Sequence, residues 1–231
     1  MPLRGHSLLG GGLVGVAIGV IVRIAIPSSP YWDIPLVWGI VGLGYAMIFV
    51  LSSKLGKLWL RDRILENMDL KGDEQVLDVG CGRGLLLVGA AKKLNTGKAV
   101  GIDIWRGVDQ SGHNPAIALE SARREGVEDR VEVKEADDRD IPFEGSRFDV
   151  VLSSLVIHNI PRRERARALE EMVRVLKPGG RLAIFDIWGT GDYAKAPRRL
   201  GIQEARPSYT VPLFLSPTRV LTARKPVGSK S

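Results

Sequence analysis

Two long apolar segments open the chain, and short strand-like and helix-like patterns alternate after them. Residues 8–26 are apolar or glycine apart from Arg23, and residues 34–51 carry no charge. Each segment is close to the roughly 20 residues that cross the hydrocarbon core of a bilayer. The turn between them holds Tyr31 and Trp32, whose amphipathic rings suit a membrane interface. The pattern therefore predicts a two-helix transmembrane hairpin.

Flanking charges predict how this hairpin is oriented. Basic residues stand before the first segment and after the second, whereas the connecting turn has none; they are Arg4, Lys54, Lys57, Arg61 and Arg63. By the positive-inside rule, the hairpin over residues 1–53 is then integral to the cytoplasmic (inner) membrane and the rest of the chain is cytoplasmic. Two alternatives remain: a cleavable signal peptide in the first segment, or a helical hairpin buried in a soluble protein.

Residues 54–71 are predicted to form an amphipathic linker helix. Their apolar positions recur at a spacing of three to four between basic residues; they are Leu55, Leu58, Trp59, Ile64, Leu65 and Met68. Such a helix can lie on an anionic leaflet or cap a catalytic sheet, and both interpretations stay open.

Three glycines lie four residues apart on the first segment, at Gly11, Gly15 and Gly19. Small residues at this spacing let two helices approach closely. The contact can be made within the hairpin or between two copies of the chain, so a homodimer through this face is one possibility.

A strand, a glycine turn and a helix follow each other from residue 76 onward. The apolar run Val76–Val79 leads into Gly80, Gly82 and Gly84, and a helical pattern comes next. Glycines let the backbone bend sharply and approach a ligand, but a dinucleotide-binding turn spaces them as G-x-G-x-x-G. Asp78 stands two residues before the first glycine, where a carboxylate suits a ligand with an ammonium group and repels a pyrophosphate.

This stretch resembles motif I of the class I S-adenosylmethionine-dependent methyltransferases, in which an acid precedes three alternating glycines. Later motifs of that family follow in order, namely an acid after the second strand, an acid before I-P-F and F-D-V-V, and R-V-L-K-P-G-G-R-L. The resemblance covers about residues 72–226. It implies a domain over residues 72–231 with an α/β, Rossmann-like fold, that is, a seven-stranded methyltransferase sheet with helices on both faces.

The resemblance also implies the cofactor, S-adenosylmethionine, with S-adenosylhomocysteine as product, and the residues that bind it. Asp103, at the end of the second strand, would hold the ribose hydroxyls, and Ile104 would lie against the adenine. Asp137 matches the acid that recognises the adenine amino group, although the adjacent Asp138 leaves open which of the two makes that contact. The other residues assigned to the cofactor site are Asp78, Gly80, Cys81, Gly82, Gly84 and Ser153.

His158 follows the fourth predicted strand, in the region that faces the methyl group in the family. It is the candidate catalytic residue, because an imidazole there can accept a proton from the acceptor. A structural hydrogen bond at the mouth of the cleft is an equally open interpretation. Residues 105–114 form a link longer than many relatives have, either a lid over the site or a structural loop.

Composition limits the remaining possibilities. Cys81 is the only cysteine, so the chain has no internal disulfide, and the three histidines show no metal-ligand spacing, so no metal is expected. The net charge of +7 fits an anionic membrane surface. Nucleic acid is not expected as a substrate, because the region after the fourth strand lacks the N/D-P-P-Y/F/W signature of enzymes that methylate nucleobase amines.

These patterns together predict a membrane-anchored methyltransferase that acts on a small apolar or lipid-like acceptor at the cytoplasmic face. Two alternatives are a membrane-tethered protein that binds S-adenosylmethionine without catalysis and a methyltransferase of a soluble small molecule. The acceptor and the atom that is methylated do not follow from the residues.

Overall fold

The computed structural model of the protein describes residues 3–28, 31, 33–105, 114–186, 202–213 and 216–228. The chain divides into two compact units. The first comprises residues 1–57 with 213–215, and the second comprises residues 58–212 with 216–231.

The first unit is built on two helices, α1 (Leu3–Ala25) and the first part of α2 (Asp33–Asn67). Glycines let these helices approach closely: a Cβ added to Gly15 would lie 2.9 Å from the Cα of Gly39. A Cβ added to Gly19 would lie 2.7 Å from the Cβ of Leu36. Gly15 and Gly19 therefore serve a contact within one chain, whereas Gly11 has no atom within 4 Å of an added Cβ. The homodimer through this face stays a prediction.

Large apolar side chains cover the outside of the helix pair. Those at least half exposed include Leu13, Val14, Ile21, Ile24, Val37, Trp38, Ile40, Val41, Met47 and Ile48. Over the stretches where the structure describes the chain, no helix meets the length and apolar character required to cross a membrane. The predicted transmembrane helices over residues 8–26 and 34–51 are thus not found in the described residues.

Helix α2 continues without a break to Asn67, so the second apolar segment and the predicted linker form a single helix. Pro35 lies in the first turn of α2 and no proline follows it up to Asn67, and strong helix formers dominate the second half of the helix. The apolar positions of the linker split into two sets. Ile64, Leu65 and Met68 are buried in the second unit, as expected for a helix that caps the sheet, whereas Leu55 and Trp59 are exposed.

The second unit is an α/β sheet with the order β3-β2-β1-β4-β5-β7-β6. Strands β1 to β5 pair in parallel where they are neighbours, β7 is antiparallel to β5, and β6 stands beyond β7. The strands are β1 (Gln75–Val79), β2 (Lys98–Asp103), β3 (Val131–Glu135), β4 (Phe148–Ser154), β5 (Leu176–Asp186), β6 (Gln203–Leu213) and β7 (Ser216–Arg224). The helices of this unit besides the end of α2 are α3 (Leu85–Ala91), α4 (Pro115–Arg124) and α5 (Arg165–Val175).

This arrangement confirms the predicted Rossmann-like α/β fold. Central strands β1 and β4 are buried over nearly their whole length, as parallel strands covered on both faces must be. Helix α4 begins directly after Asn114, whose Oδ1 accepts a 2.9 Å hydrogen bond from the N–H of Ala116. Residues 106–113 of the candidate lid lie outside the described residues.

The order of the strands determines where a ligand can bind. From β1 the chain adds β2 and then β3 on one side of the sheet, and it then returns to add β4 and β5 on the other side of β1. The strand order therefore reverses between β1 and β4. Open parallel sheets bind ligands at this switch point, beyond the carboxyl ends of the strands. The predicted site residues Asp78, Asp103 and Ser153 all lie at the ends of β1, β2 and β4.

Candidate active site

The glycine turn after β1 has a backbone that only glycine adopts readily. Gly80, Gly82 and Gly84 have φ values of 71°, 51° and 84°, in the left-handed region. A side chain at Gly80 would collide with Val156, whereas no atom of the described residues lies within 4 Å of a Cβ added to Gly82. The turn therefore packs tightly against Val156 at Gly80 and is less crowded at Gly82 by the described part of the chain.

Asp103 joins the end of β2 to this turn. Its Oδ2 accepts a hydrogen bond of 2.9 Å from the N–H of Gly82, and its Oδ1 accepts one of 2.9 Å from the N–H of Trp105. Each carboxylate oxygen keeps a second lone pair that can accept from a ligand hydroxyl. Next to it, Ile104 is 37% exposed and offers an apolar side chain at the same strand end. Both residues lie where the sequence predicts ribose and adenine contacts.

Two buried polar atoms at the ends of β1 and β4 have no hydrogen-bond partner in the described part of the chain. They are the Oδ1 of Asp78 and the Oγ of Ser153. Asp78 stands opposite Leu152 and Val79 opposite Ser153, so both residues lie at the carboxyl edge of the sheet, with their side chains on opposite faces. Burying such groups without a partner is costly, so they are expected to bind a ligand group.

The pKa of Asp78, as well as its position, suits a ligand that carries an ammonium group. Burial raises the pKa of Asp78 to about 8, and the nearby charge of Asp103 acts in the same direction, against a hydrogen bond from the Leu87 backbone. An ammonium group beside the carboxylate would restore its ionised form. The residues present therefore fit the amino-acid end of S-adenosylmethionine.

The acids before the I-P-F segment differ in their environment. Arg139 donates from Nε to Oδ1 of Asp137 at 2.8 Å and from Nη2 to Oδ2 at 2.5 Å, which holds the pKa of Asp137 well below its usual range. Asp138 is more enclosed, with 15% of its side chain exposed against 30% for Asp137. Burial, together with the neighbouring Asp137, raises the pKa of Asp138 to about 6. Which of the two contacts the adenine stays a prediction.

His158 is paired with a buried acid that the sequence analysis missed. Its Nδ1 lies 2.7 Å from Oδ1 of Asp186, and its backbone N–H donates to Oδ2 of the same carboxylate at 3.0 Å. Asp186 is fully buried at the end of β5, whereas 29% of the His158 side chain is exposed. An acid that ends the buried apolar run of a strand was the available signal.

This pairing gives the imidazole a defined orientation. A carboxylate that accepts from Nδ1–H fixes the tautomer in which Nε2 is the proton acceptor. The guanidinium of Arg165 donates to the backbone oxygen of His158 at 3.0 Å and to that of Ile160 at 2.9 Å, so the turn that carries the histidine is held as well. The structural hydrogen bond and the base role considered for His158 are therefore compatible.

Cys81 is a small buried residue whose thiol is not reactive. The side chain is buried, and burial, helped by the charges of Asp78 and Asp103, raises the pKa of its thiol far above the usual range. A thiol of this kind is not a nucleophile near neutral pH. No cluster of three or more His, Cys, Asp or Glu side chains suited to a metal ion occurs among the described residues.

Comparison with known proteins identifies the segment that carries these residues. Residues 76–180 match the family described as "Methyltransferase domain". This segment is similar in sequence to methyltransferase domains. It contains all the residues that were predicted to bind the cofactor, together with His158.

Individual relatives agree with this family. The chain is 36% identical over 128 residues to the methyltransferase GfsG of Streptomyces halstedii, covering 55% of this chain and 43% of the relative. It is 30% identical over 138 residues to the demethylmenaquinone methyltransferase of Staphylococcus aureus, covering 59% and 52%. A solved S-adenosylmethionine-dependent methyltransferase from Aquifex aeolicus has the same fold, with a TM-score of 0.58 at 23% identity over 73% of this chain and 90% of that one. The chain spans about half the length of the curated relatives it matches.

Proposed function

We propose that this protein transfers a methyl group from S-adenosylmethionine to a small apolar or lipid-like acceptor at the cytoplasmic face of a membrane. The observation that carries the transfer itself is the juxtaposition, at one edge of the sheet, of the glycine turn, Asp103 and the unpartnered oxygens of Asp78 and Ser153. The residues of the methyltransferase domain thus supply a place for the cofactor and a histidine after the adjacent strand.

Each part of the cofactor has a group in this chain that suits it. The carboxylate of Asp78 suits the α-ammonium, and the second lone pairs on Asp103 suit the ribose hydroxyls. The exposed side chain of Ile104 suits the adenine ring. When bound, the cofactor supplies a methyl group on a positively charged sulfur, which is already electrophilic, so alignment of the acceptor provides much of the rate.

The chain's own contribution to chemistry is a proton acceptor. With Nδ1 bonded to Asp186, the Nε2 of His158 takes the proton that an acceptor hydroxyl or similar group loses as it is methylated. Buried Asp186 stabilises the imidazolium that results, as the orienting acid does in other histidine bases. The pair therefore supports an acceptor with an acidic proton at the reacting atom.

Two features support an apolar acceptor and a membrane location. The helix pair of the first unit exposes many large apolar residues, including Ile24 at 74% and Trp38 at 71%, which a protein in water rarely leaves uncovered in such number. The basic residues after the second apolar segment favour a cytoplasmic catalytic domain. Among the relatives, the demethylmenaquinone methyltransferase is named for a quinone acceptor, which is consistent with the proposed class.

The proposal is tested with the full chain purified in detergent. Release of S-adenosylhomocysteine is measured with and without a total lipid extract of the host, and the extract is then searched by mass spectrometry for a methylated product. We expect release that depends on lipid and is lost in Asp103→Ala. A matched control is Asp129→Ala, which removes an aspartate that is 72% exposed and pairs only with the adjacent Arg130.

Membrane attachment is measured separately, by sedimentation of membranes before and after alkaline carbonate extraction. Protein that stays with the membrane after extraction is inserted, and protein released by it is attached at the surface. A water-soluble extract of the host is assayed beside the lipid extract. The membrane part of the proposal would be overturned if the protein stays in the supernatant before carbonate treatment and is active on the water-soluble extract only. Cofactor binding without release on either extract would overturn the transfer part.

A further inference from the structure

Arg139 connects two acids that belong to different parts of the site. Besides its two bonds to Asp137, its Nη1 donates to Oε2 of Glu164, the residue that immediately precedes α5. The three side chains are half-buried, with exposures of 32% for Arg139, 30% for Asp137 and 27% for Glu164. A planar guanidinium can hold two carboxylates in fixed positions, which a lysine ammonium cannot do in the same way.

Helix α5 begins with the residue that holds the turn carrying His158. Arg165 follows Glu164 directly and donates to the backbone oxygens of His158 and Ile160. A continuous series of bonds therefore runs from Asp137 through Arg139 to Glu164, and from Arg165 to the turn at residues 157–159. One end is the candidate adenine-recognition acid and the other is the segment of the candidate base.

We propose that Arg139 is a positioning residue that couples the binding of cofactor at Asp137 to the position of the turn that carries His158. This inference rests on the proposed function. Arg139 sets the orientation of the Asp137 carboxylate, which is the proposed acceptor for the adenine amino group. The same guanidinium bonds Glu164 and so restrains the start of α5. Because coupling between two sites is reciprocal, the order of the His158 turn then depends on the adenine contact, and the adenine contact on the turn.

The test uses hydrogen exchange of the full chain in detergent, with S-adenosylhomocysteine as the ligand. In the natural sequence we expect the ligand to slow exchange both at the glycine turn (80–84) and over residues 157–165. Glu164→Gln keeps the shape of the side chain and the whole of the Asp137 contact. This variant should bind S-adenosylhomocysteine with an affinity within about 3-fold of the natural one. The ligand should still slow hydrogen exchange at the glycine turn of the variant, but no longer over residues 157–165.

Two further variants separate coupling from simple stabilisation. Arg139→Lys keeps the charge but not the planar fork, so it should lose the slowing over 157–165 as Glu164→Gln does. Arg163→Ala is the matched control, because Arg163 is 84% exposed and bonds Oε1 of Glu164 at 3.2 Å, whereas Arg139 bonds Oε2. It should behave like the natural sequence in affinity and in both exchange regions.

The outcomes distinguish this inference from the proposed function. Ligand protection of 157–165 that is the same in Glu164→Gln, Arg139→Lys and the natural sequence would overturn the coupling while leaving cofactor binding intact. Absence of ligand binding by the natural sequence would overturn both. Melting temperatures of all variants are measured in parallel, and Glu164→Gln decides the question if an Arg139 variant unfolds.

Discussion

The Nη2 of Arg181 donates a hydrogen bond of 2.9 Å to Oε1 of Glu74, across 107 residues of sequence. Arg181 also donates to the backbone oxygens of Met68 and Asp69, at the end of α2. Glu74, which is 6% exposed, accepts three further hydrogen bonds from the N–H groups of Lys71 and Gly72. Arg181 and Glu74 together therefore connect the residues after α2 and the turn before β1 to strand β5.

Replacing Glu74 by glutamine should lower the free energy of unfolding by about 3 kcal/mol at pH 7, because the partly buried guanidinium of Arg181 loses its charged partner. Burial alone would raise the pKa of Glu74, but the bonds from Lys71, Gly72 and Arg181 outweigh it and leave the pKa below its ordinary value. The contribution is therefore complete above the ordinary glutamate pKa of about 4.3 and is lost as pH falls through the folded-state pKa.

The measurement is urea unfolding of Glu74→Gln and the natural sequence across this pH range. The difference between them should shrink as the pH falls below about 4. Glu132→Gln serves as control, since Glu132 is 46% exposed and pairs with Lys134 on the edge strand, so its effect should stay within about 0.5 kcal/mol. A difference at Glu74 that is the same at pH 3 and pH 7 would contradict the assigned ion pair.

Asp103→Ala should weaken S-adenosylhomocysteine binding by roughly 100-fold, or about 3 kcal/mol. The substitution removes the oxygen that orients the N–H of Gly82, the one that orients the N–H of Trp105, and both acceptors for the ribose. Isothermal titration calorimetry measures the affinity, and a melting curve without ligand shows whether the fold is kept. Affinity within 3-fold of the natural value would exclude Asp103 from the cofactor site.

Much of this site was accessible from the sequence because it depends on local rules. Three alternating glycines after a buried strand need left-handed backbone, and an acid at the end of the next strand of a parallel sheet must lie at the same edge. Asp186 has a local signal, as an acid that ends a buried strand, but its pairing with His158 was missed because it joins residues 28 positions apart on different elements. The Arg139 bridge to Glu164 was missed for the same reason.

The helix pair shows a different limit of sequence reasoning. The spacing of Gly15 and Gly19 predicts a close helix contact but not which helix makes it, because the same small residues suit a neighbour in the chain or in a second copy. Likewise, the apolar positions of residues 54–71 mark an amphipathic helix, yet only the fold buries Ile64 and Leu65 in the second unit and leaves Trp59 exposed.

Cofactor binding should release up to about one proton near pH 7. Asp78 has a pKa of about 8 in the ligand-free protein, so it is mostly protonated at this pH, and an ammonium bound beside it favours the carboxylate. Titrations with S-adenosylhomocysteine in buffers of different ionisation enthalpy measure the proton release. It should vanish in Asp78→Asn and diminish above pH 9, where Asp78 is already ionised. A binding enthalpy that does not depend on the buffer would contradict the raised pKa.

Asp186→Asn should lower turnover by about 10-fold or more, and His158→Ala by about 100-fold or more, with cofactor affinity almost unchanged. The amide keeps the size of the buried side chain but no longer fixes the imidazole in the tautomer with Nε2 as acceptor. Both rates are measured as release of S-adenosylhomocysteine on the lipid extract that supports activity. Asn159→Ala is the control, because among the described residues the Asn159 side chain is bonded only to the backbone oxygen of Leu155, at a long 3.4 Å. Unchanged turnover in His158→Ala would show that no base is required.

Glycine replacements in the helix pair should differ according to the space around them. A Cβ on Gly39 would run into Val16 and the backbone of Gly15, and a Cβ on Gly15 would lie 2.9 Å from the Cα of Gly39, so alanine at either position forces the helices apart. Gly44 has nothing within 4 Å of an added Cβ, so Gly44→Ala should be neutral or should stabilise the helix by up to about 1 kcal/mol. The stabilities of the alanine variants are compared by titrating each protein from mild detergent into sodium dodecyl sulfate. The loss of the helical circular dichroism signal is followed during the titration. Because both changes add the same methyl group to the same helix, an equal effect at Gly39 and Gly44 would mean that helix propensity, and not the contact between α1 and α2, determines the result.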